Sequence, residues 1–156
     1  MWIPPEVADP VLRHFPGRKS IGYFAAVRLR DGKFVYRRES EKFNAVTFLD
    51  FMKELRGRSC RNASRRTIVI SDNAKYHHAL LHKDWRESHA DRFALDFLPS
   101  YSPDLNPIER VWKLTRRLCT HNRYFPTLDT IADSVETTFD EWAVPNDILR
   151  RLCAII

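Results

Sequence analysis

A chain of 156 residues has room for one ordinary domain with its own core, and not for two. With 44% hydrophobic and 29% charged residues, only 4 Gly and no low-complexity tract, it reads as globular rather than fibrous or disordered. A formal net charge of +6, from 26 Lys and Arg against 20 Asp and Glu, favours a polyanionic partner such as nucleic acid; no apolar run or signal pattern speaks for a membrane or for secretion.

In chain order, residues 1–19 carry Pro4, Pro5, Pro10 and Pro16 without a steady period and read as an irregular lead-in. Ile21 to Val27, a turn at Arg30-Asp31-Gly32-Lys33 and then Phe34-Val35-Tyr36 form a β-hairpin signature. Asn44 is a fitting N-cap for a helix whose face is Ala45, Phe48, Leu49, Met52 and Leu55, with Gly57 placed to end it. Arg56 to Arg66 reads as a basic loop. Thr67-Ile68-Val69-Ile70 is β-branched throughout and predicts a strand buried on both faces, ending at Ser71-Asp72-Asn73.

A helix is expected over about Tyr76 to Glu87, then a strand from Phe93 to Leu98 stopped by Pro99. Pro103, Asp104 and Asn106 make a tight loop before a helix from Pro107 to about Cys119. Thr127 caps a helix with the face Leu128, Ile131, Val135, Phe139 and Trp142, and Asn146 caps a last one with Ile148, Leu149 and Leu152. Strands joined by helical crossovers beside a hairpin imply a mixed sheet, with sites at the carboxyl ends of its strands. Asp72 stands at such an end. The cysteines, Cys60, Cys119 and Cys153, are far apart and in no metal-ligand spacing, as expected of reduced thiols in a soluble, cytoplasmic protein.

Two acids draw attention, and each has a structural explanation of its own. Ser71-Asp72-Asn73 could simply turn the chain and cap the next helix. Glu109 could complete a capping box with Asn106, or pair with Lys113 one turn on. The combination is more telling. Ser71-Asp72-Asn73-Ala74-Lys75-Tyr76-His77, followed by Leu98-Pro99-Ser100-Tyr101-Ser102-Pro103-Asp104-Leu105-Asn106-Pro107-Ile108-Glu109-Arg110-Val111-Trp112, closely resembles the core of mariner-like bacterial insertion-sequence transposases. These are DDE superfamily endonucleases with a ribonuclease-H-like fold. The resemblance covers nearly the whole chain except the first twenty residues.

The resemblance implies an α/β, ribonuclease-H-like mixed sheet with flanking helices, with residues 20–156 as the catalytic core. It implies metal-dependent DNA cleavage and strand transfer during transposition, with transposon ends and target DNA as partners and a homodimer as the acting form. No membrane and no small-molecule cofactor are implied. Asp72 takes the place of the second catalytic acid and Glu109 of the third, 37 positions apart (109 − 72), both as ligands of Mg²⁺ or Mn²⁺. Carboxylates suit this work because two hard divalent ions about 3.5–4 Å apart activate the attacking oxygen and stabilise the leaving one. Asn73, His77 and Asn106 take supporting places, and Tyr101, Pro103 and Pro107 belong to the loop that sets Glu109. On the helix after Pro107, Arg110, Lys113, Arg116 and Arg117 leave the apolar face and could meet DNA phosphates or simply be solvated.

The family's first catalytic Asp lies on a core strand before the hairpin. Asp9, between Ala8 and Pro10, has no strand around it, and Asp31 sits in the hairpin turn. The expectation is therefore an incomplete core: the C-terminal part of a transposase, inactive alone for want of that Asp. The alternative is a non-catalytic remnant that binds DNA or the intact enzyme.

Overall fold

The computed structural model describes residues 20–40, 42–59, 65–100 and 102–154. The lead-in with Asp9, most of the basic loop including Cys60, residue Tyr101 and the last two residues lie outside this set. Strand β1 (Gly22–Val27) pairs antiparallel with β2 (Phe34–Glu39), from Gly22 opposite Glu39 to Val27 opposite Phe34. Helix α1 (Ala45–Ser59) leads to β3 (Thr67–Ser71), which pairs in parallel with β4 (Phe93–Phe97) across α2 (Lys83–Ser88). Helices α3 (Pro107–Thr115), α4 (Leu128–Glu141) and α5 (Asp147–Leu152) follow. The α/β class and the parallel crossover agree with the sequence. Among the described residues, however, the four strands form two separate pairs instead of one continuous sheet.

The hairpin is the wall between two cores. Successive side chains of a strand alternate between faces. Tyr23, Ala25 and Val27 accordingly pack on a core of Phe34, Val111, Cys119, Val135, Phe139, Trp142, Leu149 and Cys153, supplied largely by α3, α4 and α5. Phe24 and Ala26 face the second core, where Phe48, Phe51, Met52 and Leu55 of α1 meet Phe93, Val69 and Leu95 of the other strand pair. Helix α1 thus joins the two sheets. Cys119 and Cys153 are free thiols buried in the first core.

Four expectations need correction. Among the described residues strand β3 is covered on one face only: Val69 packs towards α1, while Ile68 and Ile70 are 57% and 49% exposed. A β-branched run shows that a strand forms; it does not show that both faces have a neighbour. Gly57 does not end α1, which runs on to Ser59, where the Ser59 hydroxyl bonds the Leu55 carbonyl. The helix expected over 76–87 is broken into 3-10 turns at Lys75–His78 and Leu80–His82 before α2 begins. Ala79 between the turns is extended, and the side chains of His77 and His82 are anchored elsewhere, to residues 71–72 and to the Ala45 carbonyl. In α5, Leu149 is fully buried but Ile148 is 62% exposed, because Leu149, Leu152 and Cys153 form the inward face.

The hairpin turn is clamped by the start of α5. Asp31 accepts from the Arg28 guanidinium and from the Lys33 amide, which holds its carboxyl below the usual carboxylate range, the Arg28 bonds being the main cause. Asn146, the N-cap of α5, bonds the Asp31 carbonyl through its amide and the Gly32 carbonyl through its side chain. Gly32 has φ +74°, and a Cβ there would run into the Asn146 carbonyl oxygen and the Arg150 amide nitrogen. Both the left-handed backbone and the lack of space require glycine. Gly32→Ala is expected to cost about 2–4 kcal/mol, as strain plus overpacking. Urea unfolding would check this, and a loss below about 1 kcal/mol would mean the turn can move away from α5.

Candidate active site

Strands β3 and β4 end side by side: the Leu98 amide bonds the Ser71 carbonyl, one step beyond the last strand pair. Asp72 follows β3 directly, so its carboxylate emerges at the carboxyl end of the parallel pair, with its side chain 60% exposed. One oxygen, Oδ1, accepts from the Ala74 amide at 3.1 Å, so the turn-forming role is real. The same oxygen lies 2.9 Å from His77 Nδ1. No hydrogen-bond partner of Oδ2 is seen among the described residues.

His77 is 5% exposed, packed against Phe48 with ring centroids 4.2 Å apart. Its Nδ1 is within 3.0 Å of the Asp72 carbonyl, the Asp72 carboxylate and the Ser71 hydroxyl. The two Asp72 oxygens can only accept, so Nδ1 carries the proton. Burial pulls the imidazole pKa below its ordinary value, against the opposing pull of its bonds to Asp72. A neutral ring with a fixed tautomer therefore braces Asp72 without neutralising it.

Asn73 ties the two strand ends together. Its side-chain nitrogen donates to the Leu98 carbonyl and its oxygen accepts from His78 Nε2 at 3.0 Å. His78 and Phe97 are contributors that reading the sequence did not single out. A second histidine directly after His77 was the only local signal for His78.

The loop leaving β4 turns through a 3-10 segment, Pro103–Leu105, into α3. Asn106 is 8% exposed and caps α3 by accepting from the Ile108 amide, with Pro107 in the first turn. Val111 and Thr115 are buried, with Ile108 and Trp112 partly so, which fixes the rotation of the helix. Glu109 is then half-buried on its first turn. Among the described residues its carboxylate makes neither the capping-box bond nor the Lys113 ion pair that the sequence allowed. The helix N-terminus favours a negative charge there.

The predicted residues thus fall into two groups: Asp72, Asn73 and His77 around the end of β3, and Asn106 and Glu109 at the start of α3. No group of three His, Cys, Asp or Glu side chains comes together among the described residues. Of the basic set, Arg110 donates to the Leu152 and Ala154 carbonyls and so closes the end of α5, while Lys113, Arg116 and Arg117 are exposed. Among the described residues no helix is long and apolar enough to cross a membrane.

Residues 3–132, which include both acids, match the family model of the DDE superfamily endonuclease. The chain belongs to that family. Its DDE core is 28% identical over 116 residues to the Tc3 transposase of Caenorhabditis elegans, covering 72% of this chain and 34% of that protein. Its fold is similar to those in the crystal structures of the Mos1 strand transfer complex and of the Mos1 mariner paired end complex with Mn. The TM-scores are 0.63 and 0.66, at 20% and 17% identity. Each match covers 98% of this chain, and 44% and 46% of the respective Mos1 chains. The DDE chain therefore spans less than half the length of these relatives, and shares with Mos1 the mixed α/β, ribonuclease-H-like fold.

Proposed function

We propose that this chain is catalytic-core material of a DNA transposase, in which Asp72 and Glu109 are two of the carboxylates that hold Mg²⁺ or Mn²⁺ against a phosphodiester. The observation that carries the reading is the state of the two acids. Among the described residues, Asp72 is braced by His77 yet has one oxygen without a partner, and Glu109 makes neither of the local bonds that would explain it. Both donors are hard oxygens suited to such ions. When bound, the ions would activate the attacking oxygen and stabilise the leaving one.

The chain's own residues supply the framework. His77 holds Asp72 by donating from Nδ1, and Asn73 locks the end of β3 to that of β4. Asn106 caps and aims the helix that carries Glu109. DNA, as transposon ends and target, is the proposed substrate, and a homodimer the proposed acting form. Two carboxylates make a weaker site than the three that the family resemblance calls for. Efficient cutting is accordingly proposed to need a further acid from beyond the described residues.

Metal binding tests the site directly. Titration with Mn²⁺, followed by calorimetry or paramagnetic line broadening, should show binding to the unaltered protein. Asp72→Ala should weaken it at least about tenfold, or about 1.4 kcal/mol. Undiminished Mn²⁺ binding by that variant would remove Asp72 from the site. The Glu109 variant is the complementary test.

A further inference from the structure

Helix α5 has only 6 residues, Asp147–Leu152. A helix that short does not stand by itself, so bonds to other elements must hold it. It is tied at both ends. At its start, Asn146 bonds the Asp31 and Gly32 carbonyls of the hairpin turn. At its end, Arg110 Nη1 donates to the Leu152 and Ala154 carbonyls, at 3.1 Å each, which satisfies acceptors that a helix terminus leaves open. The Cys153 thiol adds a weak sulfur hydrogen bond to the Pro107 carbonyl at 3.6 Å.

The two ties at the far end meet α3 at Pro107 and Arg110, on either side of Glu109 in the chain. Leu149 and Cys153, 0% and 1% exposed, belong with Val111 to the first core, so the end of α5 cannot shift along α3 without opening it. Glu109 itself makes neither a capping bond nor an ion pair among the described residues. The aim of its carboxylate is therefore set by the backbone of the first turn of α3, and that turn is what α5 grips. On charge alone, Arg110 is a poor neighbour for a site that takes a dication, because a nearby cation opposes the binding of another.

Resting on the reading of Glu109 as a metal ligand, we infer that the end of α5 is a strut that sets the Glu109 carboxylate, with Arg110 and Cys153 as its positioning residues. Mg²⁺ demands near-ideal ligand geometry, and groups that hold a ligand in place without touching the ion control affinity strongly. The path of support is continuous: hairpin turn, Asn146, α5, Arg110 and Cys153, and then the helix start that carries Glu109.

The test is Mn²⁺ titration of the full chain, with urea unfolding in parallel to show that each variant is folded. Arg110 is exposed, so the fold should survive Arg110→Ala. Loss of its positive charge would by itself tighten Mn²⁺ binding, whereas loss of the strut should weaken it about tenfold. In a Glu109→Gln background the same change should move the residual affinity by less than about twofold, since there is no carboxylate left to aim. Cys153→Ala should weaken binding a few-fold, and Cys153→Ser, which keeps a donor for the Pro107 carbonyl, should recover most of that. Tighter or unchanged Mn²⁺ binding in Arg110→Ala would overturn the strut. An equal loss with and without the Glu109 carboxylate would do so too, because Arg110 would then only stabilise the chain. Should the unaltered protein bind no Mn²⁺, or Glu109→Gln alone leave binding intact, the metal reading of Glu109 fails and the strut goes with it.

Discussion

Phe139→Ala is expected to lower the unfolding free energy by about 3–5 kcal/mol, the range for emptying the site of a buried aromatic ring. Phe139 is 0% exposed on the inner face of α4. Its ring meets Tyr23, Phe34 and Tyr36 of the hairpin at centroid distances of 5.4, 4.9 and 5.0 Å, and Trp112 and Trp142 at 6.1 Å each. The ring thus joins the hairpin, α3 and α4. The neighbours are large, rigid aromatics, so collapse into the void is hindered and the cost should lie towards the upper end. A domain with ordinary stability of about 5–15 kcal/mol would lose a third of it or more. Urea unfolding followed by Trp112 and Trp142 emission would measure the change. Ile70→Ala, at a side chain 49% exposed on β3, should cost well under 1 kcal/mol as the control. Equal losses for the two would mean that Phe139 does not hold these layers together.

The parts of this fold that depend on local chemistry could be read from the residues. The hairpin followed from its apolar flanks and Asp31-Gly32; α4 from Thr127 and the spacing of Val135, Phe139 and Trp142; α3 from Asn106-Pro107. What failed needed knowledge of neighbours. Residues 76–87 have a helical pattern, yet His77 is drawn back to Asp72 and His82 to Ala45, and tertiary bonds outrank weak propensity. Ile68 and Ile70 looked internal because β-branched residues favour strands wherever they lie, and one face of β3 has no cover among the described residues. At the site, local reasoning alone favoured a capping Glu109 and a turn-forming Asp72. It was half right for Asp72, whose Oδ1 does bond the Ala74 amide. The resemblance of the Leu98 to Trp112 run supplied the catalytic reading, and the stack of His78, Phe97 and Arg86 was invisible because its members come from three different elements.

Glu109→Gln separates the structural and functional accounts of that residue. The change keeps shape and hydrogen-bonding capacity but removes the charge. Were Glu109 chiefly a capping residue, Gln would serve nearly as well and Ala would cost about 0.5–2 kcal/mol. With no capping bond and no Lys113 pair among the described residues, both variants should instead stay within about 0.5 kcal/mol of the unaltered protein, the only loss being the favourable position of a charge at the start of α3. Mn²⁺ binding should respond in the opposite manner. A neutral amide oxygen is a far poorer ligand for a hard dication than a carboxylate, so affinity should fall at least about tenfold in Glu109→Gln and in Glu109→Ala alike. DNA cutting, wherever the completed site is assembled, should fall with it by about 10³-fold or more, about 4 kcal/mol of lost transition-state stabilisation. Stability that drops while Mn²⁺ affinity holds would make Glu109 a helix-start residue and leave Asp72 without its partner acid. Affinity that drops at constant stability would mean the charge at the start of α3 is kept for the ion and not for the fold.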